Sequence, residues 1–130
     1  MHAFRKAVEE RDETAIEAML AENVTFTSPV AFKPYPGKAI TAAILRGVLR
    51  VFEDFRYVRE IASADGRDHA LVFTATVNGK QINGCDFLHF DEGGLIDDFM
   101  VMVRPLSGAH ALAEAMNAQF EQIQSEALGG

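Results

Sequence analysis

Asp86 is the residue whose type and place point most directly to chemistry. It lies in "INGCDFLHF", Ile82 to Phe90, among Ile82, Phe87, Leu88 and Phe90. A carboxylate drawn from water into such surroundings is costly unless it is paired, hydrogen-bonded or protonated. Burial raises a carboxyl pKa, so Asp86 could donate a hydrogen bond as a neutral acid or act as a base near neutral pH. The alternative is a structural carboxylate satisfied by backbone amides, Ser28 or Tyr35. Strand alternation puts Asp86, Leu88 and Phe90 on one face, and Phe87 and His89 on the other.

Other groups could assist. Ser28, Phe32 and Tyr35 belong to the proline-rich stretch around "VAFKPYPG", which is expected to rim a pocket. The Tyr35 hydroxyl could join Asp86, or Tyr35 could simply pack between its prolines. A serine hydroxyl such as that of Ser28 is no general base unless a stronger base activates it. Arg104 and His110 could meet at the pocket mouth and hold a carboxylate or enolate; equally, Arg104 could pair with Asp97, Asp98 or Glu114 on the surface. Phe26, Phe52, Phe73, Leu88, Phe99 and Val101 read as core and pocket wall, a lining suited to a flat apolar ligand. Cys85 alternates away from Asp86 and reads as a small buried hydrophobe. No His-x-x-x-His or Cys-x-x-Cys pair occurs, and "DEGGLIDD" lacks the alternating oxygen ligands of a calcium loop. No metal and no cofactor are expected.

The elements that must position these groups are readable from periodicity. Phe4, Val8, Ile16, Met19 and Leu20 recur at helical spacing, with Asp12 as an N-cap that divides the stretch into two helices. "NVTFTSP" reads as a short strand ended by Pro29. From Lys38 to about Phe52, Ile40, Ile44, Val48 and Phe52 define the apolar face of a third helix. The period then becomes two in "RYVREIAS", "ALVFTATV", "KQINGCDFLHF" and "LIDDFMVMVRP", with Asn78-Gly79 as a hairpin turn. After Pro105, Ser107 can cap a last helix striped by Leu112, Met116, Phe120 and Ile123. This order gives one α+β domain over residues 1–130: four antiparallel strands joined by hairpins, with helices to one side.

The 130 residues are 48% hydrophobic and 24% charged, as in soluble globular domains, and carry a net charge of −7. That charge, without any basic stripe, argues against a nucleic-acid partner. No apolar run is long enough for a membrane span, and the N-terminus lacks the order of a signal peptide. With a single cysteine, a cytoplasmic protein is expected. Both faces of "FMVMV" are apolar, so the sheet face carrying Phe87, His89, Met100 and Met102 needs a cover. Either a second copy of the chain or the C-terminal helix could supply it; a homodimer is the expectation.

The stretches "DETAIEAMLAENVTFTSP", "YPGKAITAAILRGVLRVF" and "GCDFLHFDEGGLIDDF", in this order, resemble the nuclear transport factor 2-like superfamily. That superfamily includes ketosteroid isomerases and polyketide-cyclase (SnoaL-like) proteins. The resemblance implies a cone formed by a curved antiparallel sheet wrapped by N-terminal helices, here with an extra C-terminal helix. It also implies an apolar pocket at one end and dimers through the outer sheet face. In the isomerase branch an aspartate base works with a tyrosine and a protonated aspartate that stabilise an enolate. Carried over by position, the protonated aspartate falls on Asp86, the base on Ser28 and the helix tyrosine on Phe4. One of the three roles survives, so standard ketosteroid isomerisation is not expected. "VMVRPLSGAHAL" further resembles uncharacterised bacterial SnoaL-like proteins.

The expected function is cofactor-free proton transfer on an apolar carbonyl-bearing molecule, by isomerisation, cyclisation or hydration. Asp86 would be the acid or base, assisted by Tyr35, Ser28 or His110. The alternatives are a non-catalytic binder of a small apolar ligand and a dimerisation domain with a filled core.

Overall fold

Asp12 behaves as its sequence position requires. Its carboxylate accepts from the Ala15 backbone N–H at 3.0 Å and starts α2 (Glu13–Ala18) directly after α1 (Ala3–Glu9). This computed structural model describes residues 2–129 of the chain. After α2 come β1 (Leu20–Thr27) and a two-residue strand, β2 (Tyr35–Pro36), which pairs antiparallel with β1. Helix α3 (Lys38–Val51) buries Thr41, Ala42, Ile44, Leu45 and Leu49 along one side, as its apolar spacing predicts.

The meander follows as β3 (Glu53–Ala62), β4 (Asp68–Val77), β5 (Lys80–Phe90) and β6 (Ile96–Arg104). Asn78 and Gly79 both take positive φ, 48° and 81°, as a tight turn between right-twisted strands demands. The expected short strand at "NVTFTSP", here β1, joins the four-strand meander, and β2 adds one strand that was not expected. The sheet has six strands in the order β2-β1-β6-β5-β4-β3, with β1 parallel to β6. Leu20, Val24 and Phe26 of β1 are fully buried, and the open edge of the meander at β6 is where that apolar strand finds partners for its backbone.

The C-terminal segment differs from expectation in two ways. It forms two helices, α4 (Leu106–Ala118) and α5 (Phe120–Ala127). Ser107 lies inside α4 instead of capping it; Pro105 holds the cap position without a side-chain bond. Helix α4 packs against α3 and the concave face of the sheet and leaves the outer face uncovered. On that outer face Ile61, Phe87 and Met102 are exposed. None of the described helices is long and apolar enough to cross a membrane.

The core fills the concavity between sheet and helices. Phe99 meets both Phe4 and Phe26 there, each pair with ring centroids 5.4 Å apart. Phe52, Phe55, Phe73 and Tyr57 form a second aromatic group. Such edge-on and tilted contacts add to the burial of each ring and stiffen the sheet side of the core.

Candidate active site

Alternation along β5 sends Ile82, Gly84, Asp86 and Leu88 inward. Across the ladder Asp86 faces Leu71 of β4 and Val101 of β6, both on the concave side. One step away, Phe73 pairs with Gly84 on one side and with Tyr57 of β3 on the other. Gly84 has to be glycine: a Cβ there would stand 2.2 Å from Phe73 Cζ. The Phe73 ring therefore lies over β5, and Tyr57 reaches diagonally across β4 to the carboxyl group. Its hydroxyl donates to Asp86 Oδ2 at 2.6 Å in a fully buried contact.

Tyr57 is 3% exposed and Asp86 is 7% exposed. Burial pushes the Asp86 carboxyl up to about 7, opposed in part by the Tyr57 hydrogen bond that favours its anion. Burial, and then the neighbouring Asp86 charge, hold the Tyr57 hydroxyl well above the ordinary tyrosine value, so it stays protonated. Tyr57 is the one side chain among the described residues that hydrogen-bonds the Asp86 carboxyl. The pair can exchange a proton with a third molecule near neutral pH without needing a buried counter-ion.

The dyad opens onto a cavity of about 60 Å³. Phe26, Phe52, Phe73, Phe99 and Val101 line it, each as placed from the sequence. Phe4 is part of the wall. Ser28 also lines it, and its Oγ accepts from the Val30 backbone N–H at 3.1 Å. That bond leaves the hydroxyl proton free to reach a ligand oxygen.

The remaining expected site residues lie elsewhere. Leu88 is buried beside the cavity but is not among its lining residues. Tyr35 packs against the core from the edge strand β2, away from Asp86. Phe32 is 100% exposed, because its loop turns the ring outward beyond β1. Arg104 is exposed at the end of β6 on the outer face, where it donates to Asn83 Oδ1 at 2.9 Å and not to an acid. His110 is exposed on α4, so Arg104 and His110 do not come together at the cavity. Phe90 leaves the alternation because a register shift separates it from His89, and it packs on His2 and His69. His89 contacts Asp97 Oδ1 through Nδ1 at 2.6 Å. Neither Ser28 nor Tyr35 satisfies Asp86; Tyr57 does.

Tyr57 was absent from the sequence candidates, yet a signal existed. Phe55 and Tyr57 alternate with Arg56 and Val58 in "FRYVRE", so Tyr57 shares the face of a buried phenylalanine. A tyrosine buried on such a face needs a partner for its hydroxyl, and Asp86 is the buried acid that needs one in return.

A profile of the SnoaL-like domain matches residues 1–99. The fold and much of the sequence are shared with a steroid delta-isomerase from Pseudomonas aeruginosa, 42% identical, with a TM-score of 0.88; the match covers 94% of this chain and 89% of that one. An uncharacterised bacterial protein with a cystatin-like fold from Silicibacter pomeroyi DSS-3 is 37% identical over 95% of this chain and 91% of its own, with a TM-score of 0.84. The epoxide hydrolase/cyclase-like enzyme SalBIII, tied to pyran ring formation in salinomycin, shares the fold alone at 22% identity, covering 81% and 87% of the two chains with a TM-score of 0.66. No protein of curated function matches the chain significantly. The chain belongs to the SnoaL-like family of the nuclear transport factor 2-like fold.

Proposed function

We propose that the protein is a cofactor-free enzyme that moves a proton on a neutral, apolar molecule bearing a carbonyl group. The observation that carries this reading is the 2.6 Å Tyr57–Asp86 hydrogen bond at the wall of an otherwise apolar cavity. A general base works best when its pKa lies near the working pH, and Asp86 is pushed to about 7. Asp86 takes a proton from a carbon beside the carbonyl while Ser28 donates a hydrogen bond to the oxygen that gains charge. Tyr57 holds the carboxyl group in place and stabilises whichever charge it carries. Return of the proton to a different carbon completes an isomerisation, with no net gain or loss of atoms. Similarity to a protein named steroid delta-isomerase supports this class of reaction. Phe4 and Ser28 at two of the isomerases' three catalytic positions argue for a variant of that chemistry.

The test is deuterium uptake. Small cyclic β,γ-unsaturated ketones incubated with the protein in D₂O should gain deuterium beside the carbonyl and shift their double bond. The rate should change with pH around a midpoint near 7. Asp86→Asn should lower it by about 10²–10⁴-fold, the usual share of a general base. If no ketone exchanges while 2-naphthol still binds the cavity, the pocket is a binding module and the catalytic reading fails.

The outer face supports a second copy as partner. Ile61, Ala70, Phe87 and Met100 form one apolar row across the strands, and Val72, Cys85 and Met102 the next. Arg56 and Arg104 flank these rows at one end, and Asp68 and Asp98 at the other. A two-fold pairing with antiparallel strands sets each basic end against the partner's acidic end, as an isologous interface requires. A cytoplasmic setting suits the free thiol of Cys85 on this face. Sedimentation should show a dimer at micromolar concentration; a monomer there would contradict the pairing.

A further inference from the structure

The cavity is too small for most ligands that its lining would suit. Its 60 Å³ compares with about 300–1,000 Å³ for typical small-molecule sites. Some wall must move, and the walls are not equally firm. On the sheet side Phe26, Phe73 and Phe99 are fully buried and held ring against ring, Phe26 on Phe99 and Phe73 on Phe52. On the helix side the wall includes Leu112 and Met116 of α4. Met116 is only half-buried. Both residues lie beyond the segment, residues 1–99, that matches the SnoaL-like profile. The helices carrying this wall lie outside that segment.

How α4 and α5 are held is also particular. Ile123 of α5 sits over Gly47 of α3, where a Cβ would be 2.8 Å from Ile123 Cδ1 and 3.4 Å from Met116 Cε. Around this notch the links are polar. Glu126 accepts from Arg46 Nε at 2.7 Å and lies 2.9 Å from Arg50 Nη1. Arg50 Nε donates to Gln119 Oε1 at 2.7 Å, at the junction of the two helices. Arg46 also reaches Glu17 of α2 at 3.1 Å. The Arg46, Arg50 and Glu126 side chains are 19–28% exposed, and they tie α5 to α3 by charge in place of interlocked rings. The other fixed point is the start of α4, where Gly108 presses on Ile82 of β5.

We propose that α4 and α5 form a hinged lid over the Asp86–Tyr57 cavity, and that Met116 sets the size of ligand admitted. The hinge is the Gly108 end of α4 and the latch is Glu126 on Arg46 and Arg50. A ligand too large for the closed cavity displaces the Met116 side chain and lifts α5 from the Gly47 notch. The inference rests on the reading that this cavity is the ligand site, and it adds which part of the wall selects the ligand.

The experiment locks the lid. In a Cys85→Ala background, Gly47→Cys with Ile123→Cys places two thiols across the notch. Two neutral phenols, phenol itself and the larger 2-naphthol, serve as probes, with stopped-flow fluorescence reading 2-naphthol entry. Oxidation should slow 2-naphthol association at least tenfold, and reductant should restore it. Met116→Ala should tighten 2-naphthol at least fivefold and change phenol less than twofold. Equal entry rates in the oxidised and reduced protein, or an equal effect of Met116→Ala on both probes, would overturn the lid.

Hydrogen exchange keeps the idea testable if the cysteine pair does not fold. In the unmodified protein the α5 amides should exchange at least tenfold faster than those of central β5, and Glu126→Gln should speed them further. Uniform protection of α5 and β5 would overturn the lid wherever the probes bind. Failure of the site reading looks different: 2-naphthol affinity would then be indifferent to both Asp86→Asn and Tyr57→Phe.

Discussion

The two faces of β5 are made from the same eleven residues and meet opposite conditions. On the concave face Asp86 is buried, hydrogen-bonded by Tyr57 and set in a cavity wall rich in aromatic rings. On the convex face Phe87 is 40% exposed, and Met102 across the ladder is 55% exposed. Neighbours in sequence therefore do different work: one face holds a titrating group in a tight core, while the other offers a loose apolar surface flanked by charge. Substitutions one residue apart should give unrelated phenotypes, and the contrast can be broken at several points.

The largest difference should come from truncating a ring. Phe99→Ala, on the concave side of β6, should cost about 3–5 kcal/mol in a urea titration. Met102→Ala, three residues on but facing outward, should change the stability of the isolated chain by less than about 0.5 kcal/mol. Comparable losses at both sites would mean that the outer face is as tightly packed as the inner one.

Next comes pH. The carboxyl of Asp86 moves from 3.8 to about 7 on folding, so the folded state binds the extra proton between those values. Stability from this group is fully present below about pH 4 and is lost as pH rises toward 7, at up to about 1.4 kcal/mol per pH unit. Asp86→Asn should remove that slope. His89 on the outer face shifts upward, chiefly through the hydrogen bond it donates to Asp97. It is half-buried and open to solvent on one side, so His89→Gln should leave the slope between pH 4 and 7 largely as it was.

Smaller still is the effect of the Tyr57 hydroxyl. Tyr57→Phe should cost about 1–3 kcal/mol, the loss for a buried partner left without its bond. It should also raise the Asp86 midpoint above its value in the unmodified protein, because the bond that favours the anion is gone. The mildest change in fold stability is expected from Met102→Lys, which should instead shift sedimentation from dimer to monomer by placing like charges in the proposed pairing face.

Much of this architecture was legible in the residues. Asp12 capped the helix it was expected to cap, and Asn78-Gly79 made the turn that its type prescribes. Strand parity put Asp86 inside and Phe87 outside, because a side-chain period of two leaves little freedom once one face is buried. The parallel pairing of β1 with β6 was not legible, since a non-local pairing leaves no mark on either strand's own pattern. Nor was the split of the C-terminal segment at Gln119, where the apolar stripe runs on through Phe120 and Ile123.

The site was half legible. Asp86 announced itself as a charge among apolar neighbours, whereas Tyr57 looked like any strand aromatic. Its importance depends on the bare backbone of Gly84 and the position of Phe73, which are facts of packing across three strands. Phe32, Arg104 and His110 are assigned to the pocket from their places in a loop, at a strand end and in the first turns of a helix. Their loop, strand end and helix face turn them elsewhere.

The central claim is that Asp86 is a buried carboxyl group poised near neutral pH by burial and by Tyr57. A ¹³C NMR titration of the Asp86 side-chain carbon, assigned by comparison with Asp86→Asn, tests it directly. A midpoint near 7 that rises in Tyr57→Phe is the predicted result. A midpoint near 4, unmoved by Tyr57→Phe, would contradict it.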